Sequence, residues 1–370
     1  MRNSGEKRLQ RLVTFLCSAA FAAYSFFFVA VYKAAVLQVV YDSVATGRLQ
    51  FNAYVVAGVV TAILVGLALW LNRFAKFQRE WTAMAFVPSA VLLAFVTDID
   101  RSFFTGNMSF APWLWLFGGV MLVYALFAFV LRRILFEKIK NPTMMLNRIL
   151  WRNTIGLAVV FFAVGCLSAG DCSFNSEVVQ YKHFVRGDID AALGVGKRSP
   201  HASMQLTAQR AFLLSQKGEL GERLFEFPIL FGADALLPSV KRDAPIVPDT
   251  VYAGLGSQPV AGERVMEFLC RVAENSTVAV DYYLCALLAE RRLVDFCDKV
   301  YEFYKVSDNL PRHYKEALLL YSYVVPSFEL PFEDVALQAR FNEFLEHRKS
   351  PEGAMSVCTD TYWWYFLYGA

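Results

Sequence analysis

Residues 12–32 read LVTFLCSAAFAAYSFFFVAVY, a run without one Asp, Glu, Lys, Arg or His. At about 1.5 Å per residue, a helix of that length covers a hydrocarbon core of about 30 Å. Four more uncharged apolar stretches follow, at 53–71, 81–97, 111–131 and 153–169. The expected fold is all-α and begins with a five-span transmembrane helix bundle over residues 1–170. Ionisable groups inside spans mark ion paths and proton relays, so uncharged spans argue against a transporter.

Orientation follows from the basic residues. The tail before the first stretch, the turn after the second and the segment between the fourth and fifth hold 13 Lys/Arg. The two alternating loops hold Lys33, Arg48 and Arg101. Basic segments resist translocation, which puts the N-terminus in the cytoplasm and residues 171–370 outside it. Trp70, Trp81, Trp113, Trp115 and Trp151 fall at stretch ends, where an amphipathic indole prefers the headgroup zone. The first stretch outlasts a cleavable signal peptide and reads as an uncleaved anchor. Charge divides at the same boundary, with net +10 over residues 1–169 and net −7 over 170–370. No basic cluster belongs to the outward part, so nucleic acid is not expected as a partner.

Residues 171–370 carry helical spacing punctuated by turn residues. Arg186-Gly187-Asp188 and Lys217-Gly218-Glu219 repeat one helix–turn–helix grammar, with glycine ending one helix and an acid capping the next. A third hairpin turns at Arg291-Arg292-Leu293 without glycine. Further helices are expected from near Pro311 and over 335–347. The pattern is that of a degenerate, tetratricopeptide-like helical-repeat exoplasmic domain. A Pro/Gly-rich connector at 228–259 interrupts it; a loop of that length carries function or packs as a crossing between layers.

Several stretches of this half carry a family likeness: LG at 255–256, AGERVMEF at 261–268, YYLCALL at 282–288, LVDF at 293–296, LPRHYKEALLLY at 310–321 and TYWWY at 361–365. Together they resemble an uncharacterised family of bacterial multi-pass inner-membrane proteins with a tetratricopeptide-like C-terminal half. The resemblance is strongest over residues 250–370. It implies an inner-membrane location with a periplasmic C-terminal domain, and it brings no activity.

Chemistry is sparse. His183, His201, His313 and His347 are scattered without ligand spacing, and no phosphate loop, dinucleotide glycine pattern or nucleophile elbow occurs. No cofactor and no metal are expected. Asp98 and Asp100, with Arg101, form an acidic pair at the edge of a stretch. As a catalytic group they would hold a divalent cation in a membrane enzyme acting on lipid-linked saccharide. Cys285 and Cys297 face each other across a helical hairpin at a spacing that favours free thiols over a bridge. The terminal run containing Tyr362, Trp363, Trp364 and Tyr365 either closes the last repeat or docks on the bilayer. The function expected first is an outward-facing interaction or assembly scaffold. Its partners would be the lipid bilayer and a periplasmic or membrane protein.

Overall fold

The computed structural model describes residues 2–44, 51–75, 79–99, 101, 103, 111–134, 145–168, 172–197, 202–238, 248–304, 309–349 and 358–369, and every regular element among them is helical. The chain divides into two compact units, Met1–Asn175 and Ser176–Ala370.

In the first unit, α1 (Arg2–Phe27) runs through a π-helical turn, Phe28–Tyr32, into α2 (Ala34–Val44). There follow α3 (Ala53–Ala75), a 3-10 segment (Arg79–Phe86), α4 (Val87–Thr97), α5 (Ala111–Ile134) and α6 (Met145–Leu167). Among the described residues, three stretches are long and apolar enough to cross a membrane: Arg8–Tyr32, Ala53–Arg73 and Asn147–Leu167. Five crossings were expected, and Pro88 marks one of the differences. It sits in the first turn of α4, where a 3-10 segment gives way to α-helix, and the apolar helix Trp81–Thr97 is shorter than the three crossing stretches. Trp81 itself leaves helical geometry (φ −126°, ψ 20°), and α4 has 11 residues, a length of about 16 Å. The expected span at 111–131 lies within α5, in which Trp113–Leu126 is an apolar stretch of described side chains.

Side chains tie the 3-10 segment and α4 to their neighbours, and one of them serves a backbone amide of the segment. The Ala83 N–H donates to Asn153 Oδ1 (2.8 Å), and Ser89 Oγ donates to the Leu64 carbonyl of α3 (2.9 Å). Gly156 admits the close approach; a Cβ there would stand 3.0 Å from that of Ala83. Arg152, on α6, lies with its guanidinium 5.6 Å from the Trp81 ring.

The division falls inside α7 (Cys172–Val185), and the second unit continues through α8 (Ile189–Gly194), α9 (Met204–Lys217), α10 (Leu220–Arg223), α11 (Pro248–Gly254) and α12 (Val265–Val272). It ends with α13 (Thr277–Ala289), α14 (Leu293–Phe303), α15 (Arg312–Val324), α16 (Val335–His347) and α17 (Tyr362–Tyr368). Helix starts are capped by side chains: Asp188, Ser203, Ser276, Asp334 and Thr361 each accept an amide of the first turn. The turns after α7 and α9 use Gly187 (φ 78°) and Gly218 (φ 68°), in the left-handed region that glycine adopts without cost. The turn after α13 uses Arg291 at φ 58° instead. Its side chain supplies the compensation: the guanidinium lies over the Tyr365 ring (5.6 Å) and donates to the Gly369 carbonyl.

The described parts of the connector at 228–259 are packed. Ile229, Ala233 and Leu236 are buried in the core with Val251, Tyr252 and Leu255 of the α11 region, and Tyr252 Oη donates to the Pro238 carbonyl (2.9 Å). Elsewhere the fit is tight enough to forbid a methyl group. A Cβ at Gly221 would meet Tyr314 Cζ at 2.8 Å and Pro311 Cβ at 2.9 Å. Tyr314 cannot yield, because its hydroxyl is bonded to Asp281 (3.0 Å). Gly221→Ala should therefore destabilise the second unit by about 1–3 kcal/mol, read as a lower denaturation midpoint.

Candidate functional site

At the end of α4, the structure describes two of the three residues of the acidic motif. Asp98 follows the last residue of α4, half-buried, and accepts the Trp113 indole N–H at 2.8 Å. Arg101 is half-buried, and Asp100 lies outside the described residues. What gathers near Asp98 is a set that no sequence motif announced. Lys33 is 2% exposed and donates to the Ser168 carbonyl at 2.5 Å. Thr97 Oγ1 and Ser168 Oγ are 2.9 Å apart. Since Thr97 spends its proton on the Leu93 carbonyl (2.7 Å), the Ser168 hydroxyl is the donor between them.

The π-helical turn sets this geometry. It closes with the Lys33 N–H on the Phe28 carbonyl, five residues back, at 3.0 Å. Such widened turns recur at functional positions. Behind it, Tyr24, Phe28 and Tyr32 stack in a ladder at 5.5 and 5.3 Å, and Tyr24 lies on Phe161 at 4.1 Å. A buried cation among apolar helices, bonded to the Ser168 carbonyl beside a pair of hydroxyls, is the kind of feature that marks a functional position in membrane proteins.

The terminal aromatic run sits inside its own unit. Tyr362, Trp363 and Tyr365 are buried and Trp364 is half-buried. Trp363 packs on Phe341 (4.8 Å) and Phe344 (6.0 Å), and its indole donates to the Glu316 carbonyl (2.7 Å). Tyr365 Oη donates to the Ala289 carbonyl at 2.7 Å. The fully buried Glu316 carboxylate accepts Arg312 Nε (2.9 Å), His313 Nδ1 (2.9 Å) and the Tyr362 amide (2.7 Å).

Next to it, Asp360 takes Arg312 (2.9 Å) and Arg340. Burial pushes the Asp360 carboxyl up, but Arg312 and then Arg340 outweigh it and hold the group below the usual carboxylate range. A depressed folded pKa stabilises the fold above the unfolded value and stops doing so as pH falls through the folded one. Asp360→Asn should lower stability at neutral pH and flatten its decline below about pH 4, measured by thermal melts across pH.

A second cluster joins α13, α14 and α15. Asp281 accepts Tyr304 Oη (2.5 Å) and Tyr314 Oη (3.0 Å), and Tyr314 Oη is 3.6 Å from Cys285 Sγ. Burial raises the Asp281 carboxyl against the pull of both phenols. Cys285 and Cys297 are free and buried, and burial pushes Cys297 up to about 12. These thiols are inert packing groups in this setting.

α7 and α9 are linked near both of their ends. Ser203 donates to Glu177 at one end, and Phe184 meets Phe212 edge-on (5.7 Å) at the other, so the two helices run side by side in the same direction. Gln180 shares a face with Glu177 and Phe184, and Gln209 shares one with Phe212. Both amides are buried, and among the described residues no protein group bonds their oxygen or nitrogen. Nearby, Arg210 is buried over the Phe227 ring (5.1 Å), donates to the Val195 and Gly196 carbonyls, and is lowered by burial to about 10. Helical periodicity marked these positions only as one more amphipathic face. Among the described residues, no group of three His, Cys, Asp or Glu is arranged for a metal ion.

No curated protein and no solved structure matches the chain. Residues 8–275 and 260–369 match one family, so between them nearly the whole chain is covered. The chain belongs to the Family of unknown function (DUF6057).

Proposed function

We propose that this is a bacterial inner-membrane protein whose periplasmic helical domain acts as a scaffold, holding a segment of a protein partner at the membrane. The carrying observation is the pair of buried, unpartnered amides Gln180 and Gln209 along α7 and α9. A buried amide without partners costs about 1–3 kcal/mol, which a peptide backbone relieves if the surrounding helices part to admit it. Amide side chains offer both a donor and an acceptor, matching the two groups of a peptide unit. Side-by-side stacking of the first helices of successive hairpins supports the tetratricopeptide-like reading, since that arrangement creates extended binding faces. The orientation rests on the basic residues, and three crossings lead to the same side as five.

The test combines stability with crosslinking. The double change Gln180→Leu and Gln209→Leu should leave the free protein as stable or more so, because unsatisfied polar groups are removed. Photo-crosslinkers at the exposed Val185 and Met204, which flank the amides, should give a discrete adduct in native membranes, and the double change should abolish it. A crosslinker at the exposed Val260 serves as control. Adducts no stronger at 185 and 204 than at 260, or adducts indifferent to the double change, would overturn the proposal.

A further inference from the structure

The first unit contains a crevice that this scaffold reading does not use. It lies between α1 and α3, has a volume of about 560 Å³, and is lined by Gln10, Arg11, Thr14, Phe15, Leu69 and Asn72 with Ser18 at its foot. The two helices run antiparallel, since Phe26 of α1 meets Tyr54 of α3 (6.3 Å) at the far end of the same pair. The N-terminal part of α1 and the C-terminal part of α3 therefore share one membrane face.

Polarity changes along the crevice. At the mouth stand a guanidinium and two primary amides, from Arg11, Gln10 and Asn72, and no protein hydrogen bond or ion pair engages them among the described residues. Arg8, one turn before Arg11, and Arg73, beside Asn72, are also exposed there. No acidic residue occurs in α3 or between residues 8 and 27 of α1. Deeper in, Phe15 and Leu69 are exposed walls, and Ser18 turns its hydroxyl back onto the Thr14 carbonyl (2.8 Å). From Arg11 to Ser18 is about 10 Å of helix, so the polar mouth and the apolar depth belong to one molecule-sized slot.

We propose that this crevice binds an anionic phospholipid. Its phosphate sits between Arg11 and the amides of Gln10 and Asn72, and an acyl chain lies along Phe15 and Leu69. The charge of the mouth and its continuity with an apolar wall in the membrane-crossing region select this occupant. A soluble anion would use the mouth and leave the wall uncovered, and a zwitterionic lipid carries an ammonium group that three arginines oppose. The inference is independent of the scaffold reading and of which membrane face is cytoplasmic.

Native mass spectrometry of the full-length protein in detergent tests it, with titrations of phosphatidylglycerol and phosphatidylcholine. Phosphatidylglycerol should be retained in preference to phosphatidylcholine. Arg11→Gln should weaken that retention about fivefold, the effect of one basic side chain near a lipid phosphate. Arg148→Gln, which removes an exposed charge from the start of α6, should leave it unchanged. Excess inorganic phosphate should not displace the lipid. Equal retention of the two lipids, equal weakening by both substitutions, or displacement by phosphate would each overturn the proposal.

Discussion

Trp363→Ala is expected to lower the stability of the second unit by about 3–5 kcal/mol, the cost of truncating a fully buried large aromatic. Its ring fills the space against Phe341 and Phe344, and its N–H serves the Glu316 carbonyl. A run of seven large residues near a chain end would fray if nothing held it, yet here the core is built around it. The measurement is hydrogen exchange on the full-length protein, reading the α13 and α15 amides. Trp363→Phe, which keeps most of the buried ring, should recover part of the protection. Deleting residues 361–370 should act at least as strongly as Trp363→Ala. Unchanged exchange in both variants would mean that the terminal helix does not close this core.

Glu316→Ala should cost a similar amount, about 3–5 kcal/mol, because removing one member of a buried charged network strands the others. Three donors converge on this carboxylate, from Arg312, His313 and the amide that starts α17. Glu316→Gln should be milder, since one acceptor oxygen remains. The order Ala worse than Gln should appear in denaturation midpoints and in release of the terminal segment to limited proteolysis. If Gln and Ala behaved alike, the charge rather than the hydrogen bonds would carry the effect.

Local rules made much of the second unit legible. The helix at 335–347 occupies Val335–His347 because Asp334 caps it, and the Gly187 and Gly218 turns fall where backbone freedom requires them. The crossings were harder to read, because hydropathy registers composition and not continuity. Residues 81–97 are as apolar as a span, but they form a 3-10 segment joined to a short α-helix at Pro88. Lys33 illustrates a different loss. Apolar sequence flanks it on both sides, so the charge reads as the end of a span, whereas the helical path continues through it to Val44. Its partner Ser168 is 135 positions away, and no local pattern announces such a pairing. The unpartnered Gln180 and Gln209 were hidden for the same reason. Periodicity shows which face of a helix is turned inward but not what it meets there.

The outward-facing placement of the second unit is the claim on which the scaffold reading stands, and Cys270 offers a direct measurement of it. The thiol is free and exposed, at the surface of α12. In intact cells with a permeabilised outer membrane, a membrane-impermeant maleimide should label a variant carrying Cys166→Ser and Cys172→Ser, and adding Cys270→Ser should remove that label. Labelling of Cys270 that appears only after the inner membrane is broken would contradict the account, because the helical domain would then lie in the cytoplasm.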